Sequence, residues 1–164
     1  MDSLNMSNHS LTVQRLNKIV VENVKKLHAE LGSSLTECMY TKALELALKH
    51  IGCICRVEDP IPVQVTIGDI DHTIGYCRID INAYLPDDDG GIRFLFELKH
   101  SHITQSVIKQ ATQQVLEYIK LTENSDTHLL AQYAFVIVFP KSNLDSPYIS
   151  LIDRYGNKLE TLPV

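Results

Sequence analysis

The stretch Ile92-Arg93-Phe94-Leu95-Phe96-Glu97-Leu98-Lys99-His100 constrains this chain more than any other. It begins as an apolar, β-prone run and ends with an acid and a base two residues apart. Side chains on a strand alternate with a period of two, so Glu97 and Lys99 share one face and Leu98 takes the other. A strand bound for the core that carries a carboxylate and an ammonium on one face needs a reason. Either the two groups neutralise each other at a strand end, or they form part of a metal-dependent site.

The flanking chain tells what that strand sits in. Val13, Leu16, Val20, Val24, Leu27 and Leu31 recur at helical spacing and predict an amphipathic helix from about Leu11. Ser10 is its expected N-cap and Gly32 its stop. Residues 1–9 read as a disordered leader. Ser34-Leu35-Thr36-Glu37 has the capping-box pattern, and Leu35, Met39, Ala43, Leu46 and Ala47 mark the expected buried face of a second helix. Together these make an N-terminal helical hairpin.

The texture then turns to β. Ile54 to Val57 and Val63 to Ile67 are strand-like, with Pro60 and Pro62 keeping the link extended and Gly68-Asp69 as a hairpin turn. The run from His72 to Tyr84 follows, with Ile79, Ile81 and Ala83 expected on one face and Arg78, Asp80 and Asn82 on the other. Pro86 to Gly91 is an acidic turn; it lacks the closing Glu of a calcium loop and reads as solvated. A helix over Ser106–Leu121 carries Val107, Ala111, Val115 and Tyr118 or Ile119 on its apolar face. Glu123 to Asp126 is a polar loop, Tyr133 to Phe139 a strand buried on both faces, and Tyr148 to Ile152 a short further strand. The helix between the Glu97 and Phe135 strands would be a right-handed crossover. The expected architecture is α/β: a mixed β-sheet flanked by helices, as a single domain over residues 10–153 with a C-terminal tail over 154–164.

Bulk properties exclude some classes. No apolar run approaches the roughly 20 residues needed to cross a bilayer, and the first ten residues hold no signal-peptide core. The four cysteines form no secreted framework, so reduced thiols in a cytoplasmic or nuclear setting are expected. The net charge of -5 argues against a general nucleic-acid coat but leaves room for a local basic groove.

Read one at a time, the candidate residues have structural accounts. Glu37 is placed to cap its own helix with Ser34. Asp80 could pair with Arg78, and Glu97 with Lys99, as strand ion pairs. Gln110 and Gln114 sit four apart on a helix surface, as solvated residues do. Tyr40 and Tyr118 read as core aromatics with tethered hydroxyls. His100 and His102 lack partners at zinc spacing, and Cys53-Ile54-Cys55 is too short for a zinc knuckle.

Taken in order, the motifs have more to say. Asp80 followed by Glu97-Leu98-Lys99 resembles the PD-(D/E)XK nuclease superfamily, and the longer pattern resembles its GxxExxY branch. Leu31 to Tyr40 matches that branch at Glu37 and Tyr40; Gly75 to Asp80 matches its glycine, arginine and aspartate; Gln114 to Lys120 matches its following helix at Gln, Tyr and Lys. The resemblance covers about Leu27 to Phe139. The glycine of the branch name falls at Ser34 here, and a serine N-cap replaces a glycine N-cap at little cost.

The resemblance implies a restriction-endonuclease-like fold and a Mg²⁺- or Mn²⁺-dependent nuclease hydrolysing phosphodiester bonds, with DNA as the expected nucleic-acid partner. Asp80 and Glu97 would hold the metal with the Leu98 carbonyl, and Glu37 would reach in from the early helix. Lys99 would orient or help activate water, and Gln114 would position substrate or water. The alternative is a binding or assembly module on the same fold with a weak or idle site; a nucleotide hydrolase with a closed pocket is a third reading. No membrane partner is expected, and a free strand edge at Tyr148–Ile152 would allow a homodimer.

Overall fold

The computed structural model describes residues 2–87, 91–123 and 130–162. Its elements run α1 (Asp2–Leu31), α2 (Glu37–His50), β1 (Ile54–Ile67), β2 (Ile70–Leu85), β3 (Ile92–His100), α3 (Gln105–Glu123), β4 (Tyr133–Phe139), β5 (Tyr148–Asp153) and β6 (Lys158–Leu162). The six strands form one sheet in sequential order. Only β3 and β4 are parallel; every other neighbouring pair is antiparallel. That single parallel pair follows from α3, the one helical crossover between strands. The expected mixed sheet with flanking helices and an N-terminal helical pair is therefore the observed one.

The sheet separates two cores. On one face, Val13, Leu16, Val20 and Val24 of α1 and Tyr40, Leu44 and Leu48 of α2 pack against Phe94, Phe96, Leu98, Phe135 and Ile137. On the other, Ile108, Ala111, Val115 and Ile119 of α3 cover Leu95, Ala134, Val136 and Val138. Strands β3 and β4 are buried on both faces, which explains their near-continuous apolar sequence. No helix among the described residues is long and apolar enough to cross a membrane.

Several local expectations change. The helix α1 starts at Asp2, so the segment read as a leader is helical and Ser10 lies inside it. That segment has no Gly or Pro to stop propagation, and extending a formed helix costs far less than nucleating one. The α2 N-cap is Thr36, with no side-chain capping bond, so Ser34 does not close a capping box. The α2 buried face holds Tyr40, Thr41, Leu44, Glu45 and Leu48, while Met39 and Leu46 are exposed. The helix is thus turned by about one residue from the expected face. Tyr40 accounts for this: its ring stacks on Phe139 with centroids 4.1 Å apart and its hydroxyl donates to the Gly32 carbonyl. The buried Glu45 that results is held by Lys42 at 2.5 Å and Lys49 at 2.6 Å.

The Tyr40 bond yields a stability prediction. Tyr40→Phe keeps the ring and leaves the Gly32 carbonyl without its donor, for an expected loss of about 1–3 kcal/mol. Urea denaturation reads this directly; an unchanged midpoint would mean that only the ring matters.

The C-terminal segment is not a tail. After the turn at Tyr155-Gly156-Asn157, closed by Asp153 side-chain bonds to Tyr155 and Asn157, the chain returns as β6 beside β5. The edge expected at Tyr148–Ile152 is therefore covered on both sides, and a homodimer cannot use it. The Asp88–Gly90 part of the acidic turn and the 124–126 part of the polar loop lie outside the described residues.

Candidate active site

The site forms where β2 leaves β3. Their register runs from Leu85 opposite Ile92 to Ile81 opposite Phe96, and pairing stops there. One further step brings Asp80 across from Glu97. In place of the next ladder bond, the Leu98 N–H donates to Asp80 Oδ2 at 2.7 Å. The strand also changes sides here: Ile81 and Ala83 belong to the core under α1 and α2, whereas Ile79 belongs to the core under α3. The three residues expected on one face are split by Asp80. Because β2 begins at Ile70, Asp80 is mid-strand, so its position opposite Glu97 needs no distortion beyond this splay.

The neighbouring strand bends with it. Glu58 on β1, between Val57 opposite Ile81 and Asp59 opposite Ile79, has φ of 52°. A non-glycine residue there carries about 1–3 kcal/mol of backbone strain, a cost that concentrates at functional positions. Arg78 Nη1 lies 3.8 Å from Glu58 Oε2, so its partner lies across the strands and is not Asp80. Nothing in the sequence around Glu58 announces this conformation.

Glu97 is completely buried, at 0% exposure. Lys99 Nζ stands 2.5 Å from Glu97 Oε1, yet neither carboxylate oxygen receives a well-directed hydrogen bond. The shared face of Glu97 and Lys99 is thus as the alternation of the strand requires. Burial pushes the Glu97 carboxyl up to about 7; the charge of Asp80 adds to this and Lys99 opposes it. Burial likewise pushes Asp80 up to about 6, against the Leu98 N–H bond and Lys99, with Glu37 and Glu58 adding to the rise. Burial works to lower the Lys99 pKa, but Glu97 and the charges of Glu37 and Asp80 outweigh it and hold the ammonium above its usual range.

Glu37 faces this group from the first turn of α2. Its Oε2 accepts the His100 N–H at 3.1 Å, and its charge acts on Asp80, Glu97 and Lys99. His100 is anchored twice, since its Nε2–H donates to the Ser33 carbonyl at 2.9 Å. A carbonyl can only accept, so the proton is on Nε2. His100 thereby ties the end of β3 to the α1–α2 connection, a role that no local pattern in the sequence announces. Gln114 on α3 donates to the Tyr118 hydroxyl at 2.6 Å, and Tyr118 in turn feels the charges of Glu97 and Asp80. Gln114 therefore reaches the group by way of Tyr118. His102 is exposed on the following loop. Cys53 and Cys55 are free thiols whose pKa values burial raises to about 12 and about 11, so they stay protonated and unreactive.

The family profile of the PD-(D/E)XK nuclease superfamily matches residues 14–141, a span that holds every one of these groups. The chain belongs to the PD-(D/E)XK nuclease superfamily. Comparison with curated proteins finds no match. Among solved structures, the "Crystal structure of SSO0001" aligns with a TM-score of 0.43 at 15% identity, over 82% of this chain and 66% of that one. The chain thus spans just under two thirds of the length of that structure.

PD-(D/E)XK nucleases generally use divalent metals. The residues gathered between β2 and β3 fit such an ion. Two carboxylates face each other across the splay, and the oxygens of Glu97 are buried without directed donors. Such oxygens are the hard ligands that Mg²⁺ and Mn²⁺ favour. Among the described residues no three of His, Cys, Asp and Glu come together as a ready ligand cluster. Glu37 reaches the end of β3 through its bond to the His100 N–H.

Proposed function

We propose that this PD-(D/E)XK protein is a metal-dependent nuclease of the GxxExxY branch that hydrolyses phosphodiester bonds in DNA. The observation that carries the reading is the fully buried Glu97 carboxylate, short of donors, opposite Asp80 and beside Lys99. A purely structural ion pair would not require a second acid across the strands. The branch assignment draws support from the work its motif residues do. Glu37 holds the His100 N–H at the end of β3, and Tyr40 holds the Gly32 carbonyl between α1 and α2 while its ring lies 5.4 Å from that of His100.

In this reading Asp80, Glu97 and the Leu98 carbonyl would hold Mg²⁺ or Mn²⁺. A bound divalent ion supplies Lewis-acid stabilisation of charge on the phosphate and a water of lowered pKa. Lys99 remains protonated and offsets charge on the phosphate while orienting the attacking water. Glu37 keeps β3 in register with α2 and adds negative charge to the site. Gln114 positions substrate or water together with the Tyr118 hydroxyl.

A second reading is a binding module on the same fold with an idle site. The absence of a ready three-residue ligand cluster among the described residues favours it. Labelled single- and double-stranded DNA and RNA, incubated with Mg²⁺, Mn²⁺ or chelator, separate the two. The nuclease reading expects DNA cleavage with metal and none with chelator. Absence of cleavage together with absence of calorimetric metal binding would leave the binding module.

Glu37 supplies a further prediction. Glu37→Gln keeps an acceptor for the His100 N–H and removes a charge that raises both Asp80 and Glu97. The pH midpoint of cleavage is expected to move to lower pH with little change in stability. A midpoint that stays in place would remove Glu37 from the site.

A further inference from the structure

The hairpin formed by the distal halves of β1 and β2 projects beyond the sheet. Between Ile67 and Val63 on β1, and between Ile70 and Gly75 on β2, these strands pair only with each other among the described residues. Side chains 64–74 are all exposed. An isolated two-stranded ribbon is marginal in water. Its apolar residues make it more conspicuous: Ile67 is 65% exposed, Ile70 63%, Ile74 68% and Tyr76 68%.

The outer edge of this ribbon is the unusual part. Natural edges are blunted by charge, proline or covering elements. At the opposite end of the sheet, β6 carries Lys158 and Glu160, and Glu160 is met by Asn17 of α1. On β1 the inner half has Pro60 and Pro62. The outer half, Val63-Gln64-Val65-Thr66-Ile67, has no charge, no proline and no glycine, and three of its five residues are β-branched aliphatics. Its solvent-side N–H and C=O groups form an open template for another strand.

Nucleic acid is a poor occupant. Between Arg56 and Arg78 the chain has no Lys or Arg and carries Glu58, Asp59, Asp69 and Asp71. Phosphate would be repelled there. A second copy of the chain fits. An antiparallel dyad centred on Val65 sets Val63 opposite Ile67 and Gln64 opposite Thr66 of the other copy, with no charge facing a like charge. Each residue type meets a compatible one, as an isologous interface demands.

We propose that this protein forms a two-fold dimer by antiparallel pairing of the Val63–Ile67 edge, merging two hairpins into a four-stranded ribbon. The strands continue the existing β1–β2 ladder, and the Ile67 and Ile70 side chains of both copies join one apolar surface. With about 3.3 Å of rise per residue, the dyad places the two Asp80 positions roughly 45 Å apart along the ribbon. That the dimer would carry paired nuclease sites rests on the reading above; the dimer itself does not.

The test is the mass of the full chain by analytical ultracentrifugation across a concentration series, with Val65→Lys beside wild type. Val65 lies on the exposed ribbon, and its substitution puts two ammonium groups against each other at the dyad. Wild type is expected at twice the monomer mass and Val65→Lys at the monomer mass, with unchanged far-ultraviolet circular dichroism. Amide hydrogen exchange gives a second readout: protection of residues 64–67 should rise with concentration in wild type only. A wild type that stays monomeric overturns the proposal, as does a dimer indifferent to Val65→Lys. Protection of 64–67 that appears only on adding DNA would also overturn it and make the ribbon a nucleic-acid contact. Because metal-dependent cleavage is measured separately, failure of the dimer and failure of the nuclease reading are distinguishable.

Discussion

Glu97→Gln is expected to abolish metal-dependent cleavage and, in the same molecule, to raise stability at pH 8 by about 3 kcal/mol. On the proposed reading the first effect follows from losing a charged metal ligand; a neutral amide is a poor donor to a hard divalent ion. The second follows from burial. Glu97 ionises at about 7 in the folded chain against its ordinary value of 4.5, because it is buried and faces Asp80. A carboxyl raised in this way contributes its full stability below about pH 4.5, where it is neutral in both states. That contribution is lost as pH rises towards 7, since the unfolded chain then releases a proton that the folded one retains. The amide of the variant has no charge to bury, so wild type and variant should converge below pH 4.5 and separate progressively up to pH 7. Urea denaturation at pH 4, 6 and 8 in chelator measures this. Equal stabilities at pH 8 would mean that the fold holds the charge without cost, and the trade of stability against activity would fail here.

Lys99→Met should move stability the other way while also removing activity. Lys99 lowers the pKa of both Glu97 and Asp80. Its loss leaves two facing carboxyls without their cation, so the folded chain is expected to weaken above about pH 6 and to match wild type near pH 4. Cleavage should fall by about 10²–10⁴-fold, the range for a group that assists proton transfer or water orientation. Methionine preserves the bulk of the stem, so packing loss is small. The combination Glu97→Gln with Lys99→Met should recover most of the pH 8 stability lost by Lys99→Met alone, because the buried charge that needed the lysine is gone. Wild-type cleavage by Lys99→Met would reduce the pair to a strand-end ion pair.

The legible parts of this chain are those where local pattern and tertiary demand coincide. The β3 alternation put Glu97 and Lys99 on one face, and the unbroken apolar run over Tyr133–Phe139 announced a strand buried on both sides. The α3 spacing named Ala111, Val115, Tyr118 and Ile119 of its buried face, although Ile108 is buried there and Val107 only partly so. The illegible parts are those where a distant contact chooses between local options. The rotation of α2 was decided by Tyr40 stacking on Phe139, a residue far along the chain, and this overrode a face counted from Met39 and Leu46. Glu37 had a local use as a cap, and the chain spends it instead on the His100 N–H.

Local pattern by itself therefore determined the types of the elements from α2 to β5, the single parallel crossover and the acid-x-Lys strand, because side-chain periodicity and turn chemistry act over a few residues; it missed the helical start of α1 and the strand β6. Only the tertiary structure decided that Asp80 faces Glu97 across a splay, that Glu58 is strained beside it, and that β6 closes one edge while Val63–Ile67, among the described residues, leaves the other open. Each of these depends on strand register, and register is set by pairings between segments that carry no record of each other in their own sequence.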